Sequence, residues 1–254
     1  MTKEGTAFYL ENDTLKSLVL NDIFRGLGEK EICSRHSITP EIFLKVKNVI
    51  LKELKEKSDK AEITSHAVRY FKNLIKERKY FSKAVEYNLN RTMTEVLYKV
   101  VRGQLRPTYG IIFMLRKYIA PCMWYYKETE ELPEPVKFES HYEDNFDEYN
   151  TESKNILAQR KTIGHIYFDI LKENRVMARF CALHNVTLTE AANYVTMRHK
   201  KDGTYRYTTR PTIDFISNFK EELHPDLWYI FPDEVTPLEL ERIKSMAYDK
   251  ARTL

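Results

Sequence analysis

Apolar residues recur every three to four positions along most of the chain, which is the spacing of amphipathic α-helices. Two segments, 66–79 and 108–119, show the pattern most clearly. Their apolar stripes consist of Val68, Phe71, Leu74 and Ile75 in the first and of Ile111, Ile112, Leu115 and Ile119 in the second. A shorter helix is expected at 81–89, with Ala84, Val85 and Leu89 on its apolar side. Because only seven glycines occur in 254 residues and helix formers abound, we predict an all-α protein.

The first 60 residues carry three further helical patterns, at 15–24, 29–37 and 38–57. The third pattern opens with Thr39 as helix cap and Pro40 at the first helical position. Its apolar face comprises Ile42, Phe43, Val46, Val49, Ile50 and Leu54, and its other face carries Lys45, Lys47 and Asn48. Residues 1–60 therefore fit a small three-helix DNA-binding unit, or an ordinary helical bundle with a solvated face.

An internal duplication runs through the rest of the chain. FKNLIKERKY (71–80) corresponds to YFDILKENRV (167–176), offset by 96 residues, and NRTMTE (90–95) to NVTLTE (185–190), offset by 95. From the two R-P-T motifs onward the offset is 104, and seven of the twenty positions from 106 to 125 are identical in the second copy. A match of this extent indicates two related structural units.

The repeated N-x-T-x-T-E motif has the residues expected at a helix start. Thr92 with Glu95, and Thr187 with Glu190, have the spacing of a capping box. Asn90 tolerates the left-handed conformation that closes the preceding helix. Each copy is therefore expected to contain two short helices, a tight turn and a capped third helix, which is a helix-turn-helix arrangement.

The residues after the third helix resemble a known family. RGQLRPT (102–108), followed by an amphipathic helix and P-x-x-W-Y, is similar to the phage-repressor-like (Xre-type, lambda-repressor-like) helix-turn-helix family. The likeness covers residues 71–125, and residues 167–229 with a nine-residue insertion. This sequence departs from the family in carrying Ser82 and Lys83 where a glutamine is usual. The resemblance implies DNA-binding domains at 61–126 and 154–232.

The insertion in the second copy reads RHKKDGTYRYTT (198–209). Asp202-Gly203 between polar and aromatic residues is a strong signal for a two-residue hairpin turn. A basic hairpin beside a recognition helix would form a wing against phosphate or in the minor groove. The other interpretation is an exposed loop kept soluble by its charge.

Candidate DNA contacts follow from the expected helix faces, because a recognition helix turns its early residues toward base edges. The candidates for base contacts are Thr94, Tyr98, Lys99 and Arg102 in the first copy and Thr189, Asn193, Tyr194 and Arg198 in the second. The candidates for phosphate are Lys83, Arg106, Arg175, Lys200, Lys201, Arg206 and Arg210. Arg106 and Arg210 each precede a proline at a helix start, so an alternative role is to brace that turn.

Charge is distributed unevenly. The net charge is +4, but residues 127–152 contain ten acidic and two basic residues, so the remainder of the chain is strongly basic. With Pro133 and Pro135, residues 127–153 are expected to be an acidic linker between the two copies, which could fold back over a basic face. The final segment, 233–254, is expected to hold a helix capped by Thr236, which either packs onto its own domain or serves in oligomerisation.

Motifs of enzymes and metal sites are absent from the sequence. It contains no P-loop, HExxH or GxSxG motif, and GLG (26–28) lacks the rest of a dinucleotide fingerprint. The cysteines, Cys33, Cys122 and Cys181, are far apart and form no CxxC pair. We therefore expect a cytoplasmic protein without enzymatic activity, cofactor or metal. No apolar run is long enough for a membrane helix and no secretory signal is recognisable.

Together these patterns predict a sequence-specific transcriptional regulator, acting as a repressor on double-stranded DNA. Its tandem copies would form a covalent pseudo-dimer that reads two dissimilar half-sites, and it could also form a homodimer. The alternative is a protein-interaction or dimerisation scaffold in which at most one copy binds DNA. The near-absence of charge on TEAANYVTM (189–197) favours that alternative.

Overall fold

A computed structural model describes residues 13–24, 27–59, 65–87, 89, 91–140, 157–199, 201, 204–207 and 209–254. The fold of these residues is mostly helical with one two-stranded sheet, so the all-α class is confirmed. No helix in these ranges is long and apolar enough to cross a membrane. The chain forms two compact units, Met1–Arg106 and Pro107–Leu254, which we call the N-terminal and C-terminal units.

The N-terminal unit contains the predicted helices at nearly their predicted positions. They are α1 (Asp13–Phe24), α2 (Glu29–His36), α3 (Pro40–Asp59), α4 (His66–Lys76), α5 (Tyr80–Glu86) and α6 (Arg91–Val101). Thr39 caps α3 as expected, since its hydroxyl accepts a hydrogen bond from the Ile42 amide at 3.3 Å. Ser65 caps α4 in the same way, accepting from Val68 at 3.4 Å.

The apolar faces of these helices form the core of the N-terminal unit. α3 packs against α1, α2 and α4, and α4 packs against α5 and α6. The most deeply buried apolar residues include Val19, Ile32, Val46, Phe71, Ile75, Tyr80, Met93, Leu97 and Val101. In α5 Ala84 is buried but Val85 is 63% exposed, so the predicted apolar face of this helix is wrong. Tyr80, at the start of α5, fills the core instead.

The C-terminal unit begins with the end of the first copy and contains all of the second. Its elements are α7 (Tyr109–Leu115), η1 (Pro121–Trp124), α8 (Ile163–Glu173), α9 (Met177–Leu183), α10 (Leu188–Val195), β1 (Met197–His199), β2 (Tyr205–Tyr207), α11 (Ile213–Ser217), η2 (Pro225–Trp228), η3 (Pro232–Glu234) and α12 (Pro237–Thr253), where η denotes a 3-10 helix. Thr108 and Thr212 cap α7 and α11 through equivalent bonds to Ile111 and Phe215.

Aromatic rings fill the core of the C-terminal unit around α8. Phe168 contacts Phe180, Phe215, Phe219 and Trp228. Gly164 lets Trp228 lie directly against α8, because a Cβ at this glycine would be 2.6 Å from Trp228 Cδ2. The other side of α8 packs against α12, whose buried residues are Ile243, Ala247 and Ala251. The C-terminal helix thus packs onto its own unit.

The two copies also share their backbone conformation. Helices α4–α6 of the first copy correspond to α8–α10 of the second at an offset of 97 residues. Arg78 and Arg175, 97 positions apart, end α4 and α8 in the left-handed conformation with φ of 60° and 62°. α4 and α8 each have 11 residues, and α5 and α9 each have 7. The predicted offsets of 96 and 95 are therefore corrected to 97. Since the offset later becomes 104, the second copy carries about seven extra residues rather than nine.

This register also corrects the capping prediction. Thr187 is the N-cap of α10 and accepts from the Glu190 amide at 3.1 Å, as predicted. Thr92 instead lies inside α6 as its second residue, so the two N-x-T-x-T-E motifs are not structurally equivalent. Asn90, which aligns with Thr187 in this register, lies outside the described residues.

The first part of the predicted acidic linker, 127–153, packs against the C-terminal unit. Glu130 pairs with Lys220 at 2.9 Å, and the amide of Val136 donates to Asp226 at 2.9 Å. Residues 127–140 therefore belong to the C-terminal unit, while 141–153 lie outside the described residues. The unit boundary after Arg106 also falls inside the predicted domain 61–126. The reason is that residues 107–130 pair with their counterparts at 211–234, and we call this pairing the junction.

Candidate nucleic-acid interface

Helix α10 of the second copy has a buried and an outward face. Ala191 and Val195 are buried, and the helix packs against α8, α9 and β2. Thr189 is exposed and Asn193 half-exposed. Both residues therefore lie where the sequence predicts a DNA-facing surface.

The predicted hairpin follows α10 directly. β1 and β2 are antiparallel, with Arg198 opposite Arg206 and Met197 opposite Tyr207. Tyr207 is buried and its ring lies 4.1 Å from the His165 ring, so β2 is anchored to α8. The two strands are confirmed, whereas the Asp202-Gly203 turn and the candidate Lys200 lie outside the described residues.

Hydrogen bonds join α10 to the hairpin. Arg198 Nη2 donates to Asn193 Oδ1 at 2.8 Å, and the Thr209 hydroxyl donates to the Asn193 carbonyl at 3.1 Å. Arg206 Nε donates to the Thr204 hydroxyl at 3.0 Å. These bonds connect α10 to the hairpin, and we call Thr189, Asn193, Arg198, Lys201 and Arg206, which are exposed or half-exposed on these two elements, the α10–hairpin face. Lys201 is exposed, and Arg210 lies half-buried at the end of the insertion.

Tyr194 does not belong to this face. It is half-buried, and its ring packs 4.8 Å from Phe215 of α11. Its predicted role in base contact is corrected to a role in packing α10 onto the core.

In the first copy, helix α6 is rotated relative to the prediction. Thr94 and Tyr98 are only 2% and 8% exposed, and the Thr94 carbonyl accepts from the Tyr80 hydroxyl at 3.0 Å. Neither side chain can reach a base in this structure. From the sequence, Val96, Leu97 and Val100 are expected to form the apolar stripe of this helix. Leu97 and Val100 are buried, but Met93 and Val101 complete the buried face and Val96 is only half-buried. A shift of one residue turns a helix face by about 100°, which accounts for the error.

The remaining candidates of the first copy differ in their surroundings. Lys99 is exposed, and the Arg102 guanidinium lies 5.3 Å above the Tyr98 ring. Lys83 pairs with Glu86 at 2.6 Å on the exposed surface of α5. Arg106 is exposed at the end of the N-terminal unit.

The candidates on α3 are engaged locally. Lys45 pairs with Glu41 at 2.7 Å, one turn earlier. Lys47 lies 5.8 Å from the Phe43 ring centroid, and Asn48 accepts from Arg78 at 3.5 Å. These contacts suit the solvated face of a helical bundle.

A second cluster was not anticipated from the sequence. Among the described residues, Cys122, His224 and Asp226 bring one potential metal-ligand atom each within 4.8 Å of the others. Cys122 and Asp226 are buried, and the Cys122 amide donates to Asp226 Oδ1 at 2.6 Å. Burial and the Asp226 carboxyl raise the pKa of the Cys122 thiol. The one signal in the sequence is that Cys122 and Asp226 align with each other in the duplication.

Comparisons with protein-family models, with curated proteins and with solved structures gave no match. The resemblance to the phage-repressor-like family therefore rests on the motifs of this chain alone. The case for a function rests on the geometry and charge of the α10–hairpin face.

Proposed function

We propose that the protein is a double-stranded DNA-binding transcriptional regulator that reads DNA mainly through the α10–hairpin face. The observation that carries this proposal is the bond between Arg198 and Asn193, which places a base-reading amide and a guanidinium on one exposed surface. Lys201 and Arg206 extend the positive charge along the hairpin. Such a helix and basic wing suit a major groove and the phosphates beside it.

Each residue of the face has a chemical role in this proposal. The Asn193 amide is suited to adenine, which offers a donor and an acceptor together in the major groove. Arg198 either reads guanine or contacts phosphate, and Lys201 and Arg206 contact phosphate. Thr189, in the first turn of α10, lies where recognition helices contact base edges.

The first copy contributes less to base reading in this proposal. With Thr94 and Tyr98 buried, Lys99 and Arg102 remain as its DNA contacts, and both suit phosphate or guanine. The second copy would then read one half-site, and the first would add affinity with weaker sequence preference. Occupation of such an operator would repress transcription.

The proposal is tested by measuring fluorescence anisotropy of a labelled duplex at increasing KCl concentrations. Affinity should fall steeply with salt, because bound counterions are released when cations contact phosphates. Arg198→Gln and Lys201→Gln should each make the slope of log affinity against log salt shallower by about 0.9. Asn193→Ala should weaken binding to a selected site by about 1–3 kcal/mol and leave the slope unchanged.

Arg252→Gln provides the matched control for these charge changes. Arg252 lies exposed on α12, and its Nη1 donates to Asp249 at 3.3 Å. The Arg252→Gln substitution removes one positive charge from the C-terminal unit, as Arg198→Gln and Lys201→Gln do, without altering the α10–hairpin face. Equal slopes for Arg252→Gln, Arg198→Gln and Lys201→Gln would contradict the proposed face.

A scaffold role is the second candidate, and two exposed leucines favour it. Leu183 and Leu188, at the end of α9 and the start of α10, are 64% and 49% exposed. Apolar side chains at this position suit a protein partner or a second copy. Sedimentation analysis should then show self-association of the unmodified chain that the double variant Leu183→Gln with Leu188→Gln abolishes. A chain that binds only DNA should instead sediment equally with and without these substitutions.

A further inference from the structure

Three metal-binding side chains converge where the two copies meet. Cys122 is in η1, Asp226 is in η2, and His224 is the N-cap of η2, where its Nδ1 accepts a hydrogen bond from the Asp226 amide at 3.2 Å. His224 Nδ1 and Asp226 Oδ2 are 3.7 Å apart, and the potential ligand atoms of all three residues lie within 4.8 Å of one another. Ligands around tetrahedral zinc are separated by about 3.4–3.7 Å, given bond lengths of about 2.0–2.3 Å. A nitrogen and an oxygen at about 2.0–2.1 Å from zinc would be about 3.3–3.4 Å apart, so these two atoms need to approach each other by a few tenths of an ångström.

The carboxylate is held in a fixed orientation. The amides of Cys122 and Val136 donate to Asp226 Oδ1 and Oδ2 at 2.6 and 2.9 Å. Hydrogen bonds of this kind orient metal-binding carboxylates in known sites. Asp226 also accepts a hydrogen bond from the Cys122 side chain, and that bond is released when the thiol loses its proton to bind a metal.

Of the three side chains, His224 reaches an open cavity, whereas Cys122 and Asp226 are buried beside it. His224 and Val136 both line a cavity of about 630 Å³ in the C-terminal unit, whose walls also include Tyr167, Leu227 and Ile243. A cation can enter by this cavity, and a water molecule can occupy a fourth coordination position there. Three protein ligands with one open position is an established zinc arrangement.

We propose that Cys122 Sγ, His224 Nδ1 and Asp226 Oδ2 form a binding site for a divalent transition metal, with Zn²⁺ as the best match. Sulfur, imidazole nitrogen and carboxylate oxygen are the three ligand types that zinc accepts in proteins. The ion would replace the Asp226 amide at the single lone pair of His224 Nδ1, and the Cys122 sulfur, within 4.8 Å of the other two atoms, would move toward the ion. The ion would bind the first copy through Cys122 and the second through His224 and Asp226, and thereby link the two sides of the junction.

The test uses the full chain, stripped of metal with a chelator and titrated with Zn²⁺ against a chromophoric competitor. A background variant, Cys33→Ser with Cys181→Ser, leaves Cys122 as the sole thiol, because the chain has three cysteines. This background should bind one equivalent of Zn²⁺. Adding Cys122→Ser, His224→Gln or Asp226→Asn should each weaken binding more than about tenfold.

Co²⁺ provides a readout that does not depend on how well the variants fold. In the background variant it should give the absorption of a tetrahedral site together with a thiolate-to-metal charge-transfer band. That band must come from Cys122 and supports the site even if Cys122→Ser fails to fold. The proposal is overturned if the background binds less than one equivalent of Zn²⁺, if Cys122→Ser binds equally well, or if Co²⁺ gives no charge-transfer band.

Discussion

Tyr125 and Tyr229 occupy equivalent positions in the two copies, 104 residues apart, and their buried hydroxyls bond to each other. A contact between equivalent residues is the mark of an isologous interface, in which the same surface is used on both sides. Two ion pairs across the junction are also related by the 104-residue offset between the copies. Arg116 pairs with Glu234, and Lys220, the counterpart of Arg116, pairs with Glu130, the counterpart of Glu234. The junction therefore shows the pseudo-symmetric contacts expected between two related units.

The tyrosine pair should behave as one coupled element. Tyr125→Phe or Tyr229→Phe leaves the other hydroxyl buried without its partner, which costs about 1–3 kcal/mol of unfolding free energy. The double variant removes both hydroxyls, so its loss of unfolding free energy should be clearly smaller than the sum of the losses in the two single variants. Urea denaturation of the four proteins measures this coupling. Strictly additive losses would show that the hydroxyls do not interact.

The two equivalent ion pairs should differ in strength because they differ in burial. The side chains of Arg116 and Glu234 are 2% and 0% exposed, whereas those of Lys220 and Glu130 are 17% and 38% exposed. Removing one partner of a buried pair leaves an uncompensated charge, so Glu234→Gln should cost about 3–5 kcal/mol. Glu130→Gln should cost about 1 kcal/mol or less. The same denaturation experiment compares them, and equal losses would contradict the role of burial.

Gly164→Ala should destabilise the C-terminal unit. The new methyl group would lie 2.6 Å from Trp228 Cδ2, so the ring or the helix must move, at a cost of about 1–3 kcal/mol or more. Gly28→Ala is the matched control, because nothing lies within 4 Å of a Cβ there. It should cost less than about 1 kcal/mol. Thermal unfolding with tryptophan fluorescence measures both variants, and similar losses would argue against the close contact.

His165 should make stability depend on pH below neutrality. Burial lowers the pKa of this histidine from 6.5 to about 3, so the folded protein holds it neutral. Between pH 6.5 and 3 the unfolded chain binds a proton that the folded chain does not. This histidine therefore contributes full stability above pH 6.5, and the contribution is lost as the pH falls, by up to about 1.4 kcal/mol per pH unit.

His165→Gln removes this titration and is the comparison for the pH series. Its unfolding free energy should fall less steeply than that of the unmodified chain between pH 6.5 and 4. Parallel slopes for the two proteins would mean that His165 is protonated in the folded state as readily as in the unfolded one.

Local patterns predicted most of the helices, because caps and 3.6-residue periodicity act within a few residues. Thr39, Thr187 and Thr236 cap helices where expected, and the strands on either side of Asp202-Gly203 form a hairpin. The face of α6 was predicted wrongly because one residue of register decides which side chains are buried. Met93 and Val96 are both apolar, and the sequence alone does not tell which one faces the core.

The pairing of the two copies could not be derived from local patterns. Residues 107–126 complete the first copy in sequence, yet their buried partners are Trp228, Tyr229 and Glu234, more than 100 positions away. The cluster of Cys122, His224 and Asp226 arises from the same pairing. Its spacing along the chain resembles no metal motif, because the fold and not the local sequence brings the side chains together.

Selection of binding sites from a random duplex library, at about physiological salt, tests the proposed function most directly. The unmodified chain and Asn193→Ala would be compared in parallel. We predict an enriched motif for the unmodified chain, with sequence preference lost at one or two positions in Asn193→Ala. A bipartite motif would place two unequal half-sites on the DNA. Absence of any enriched sequence would contradict a DNA-reading function.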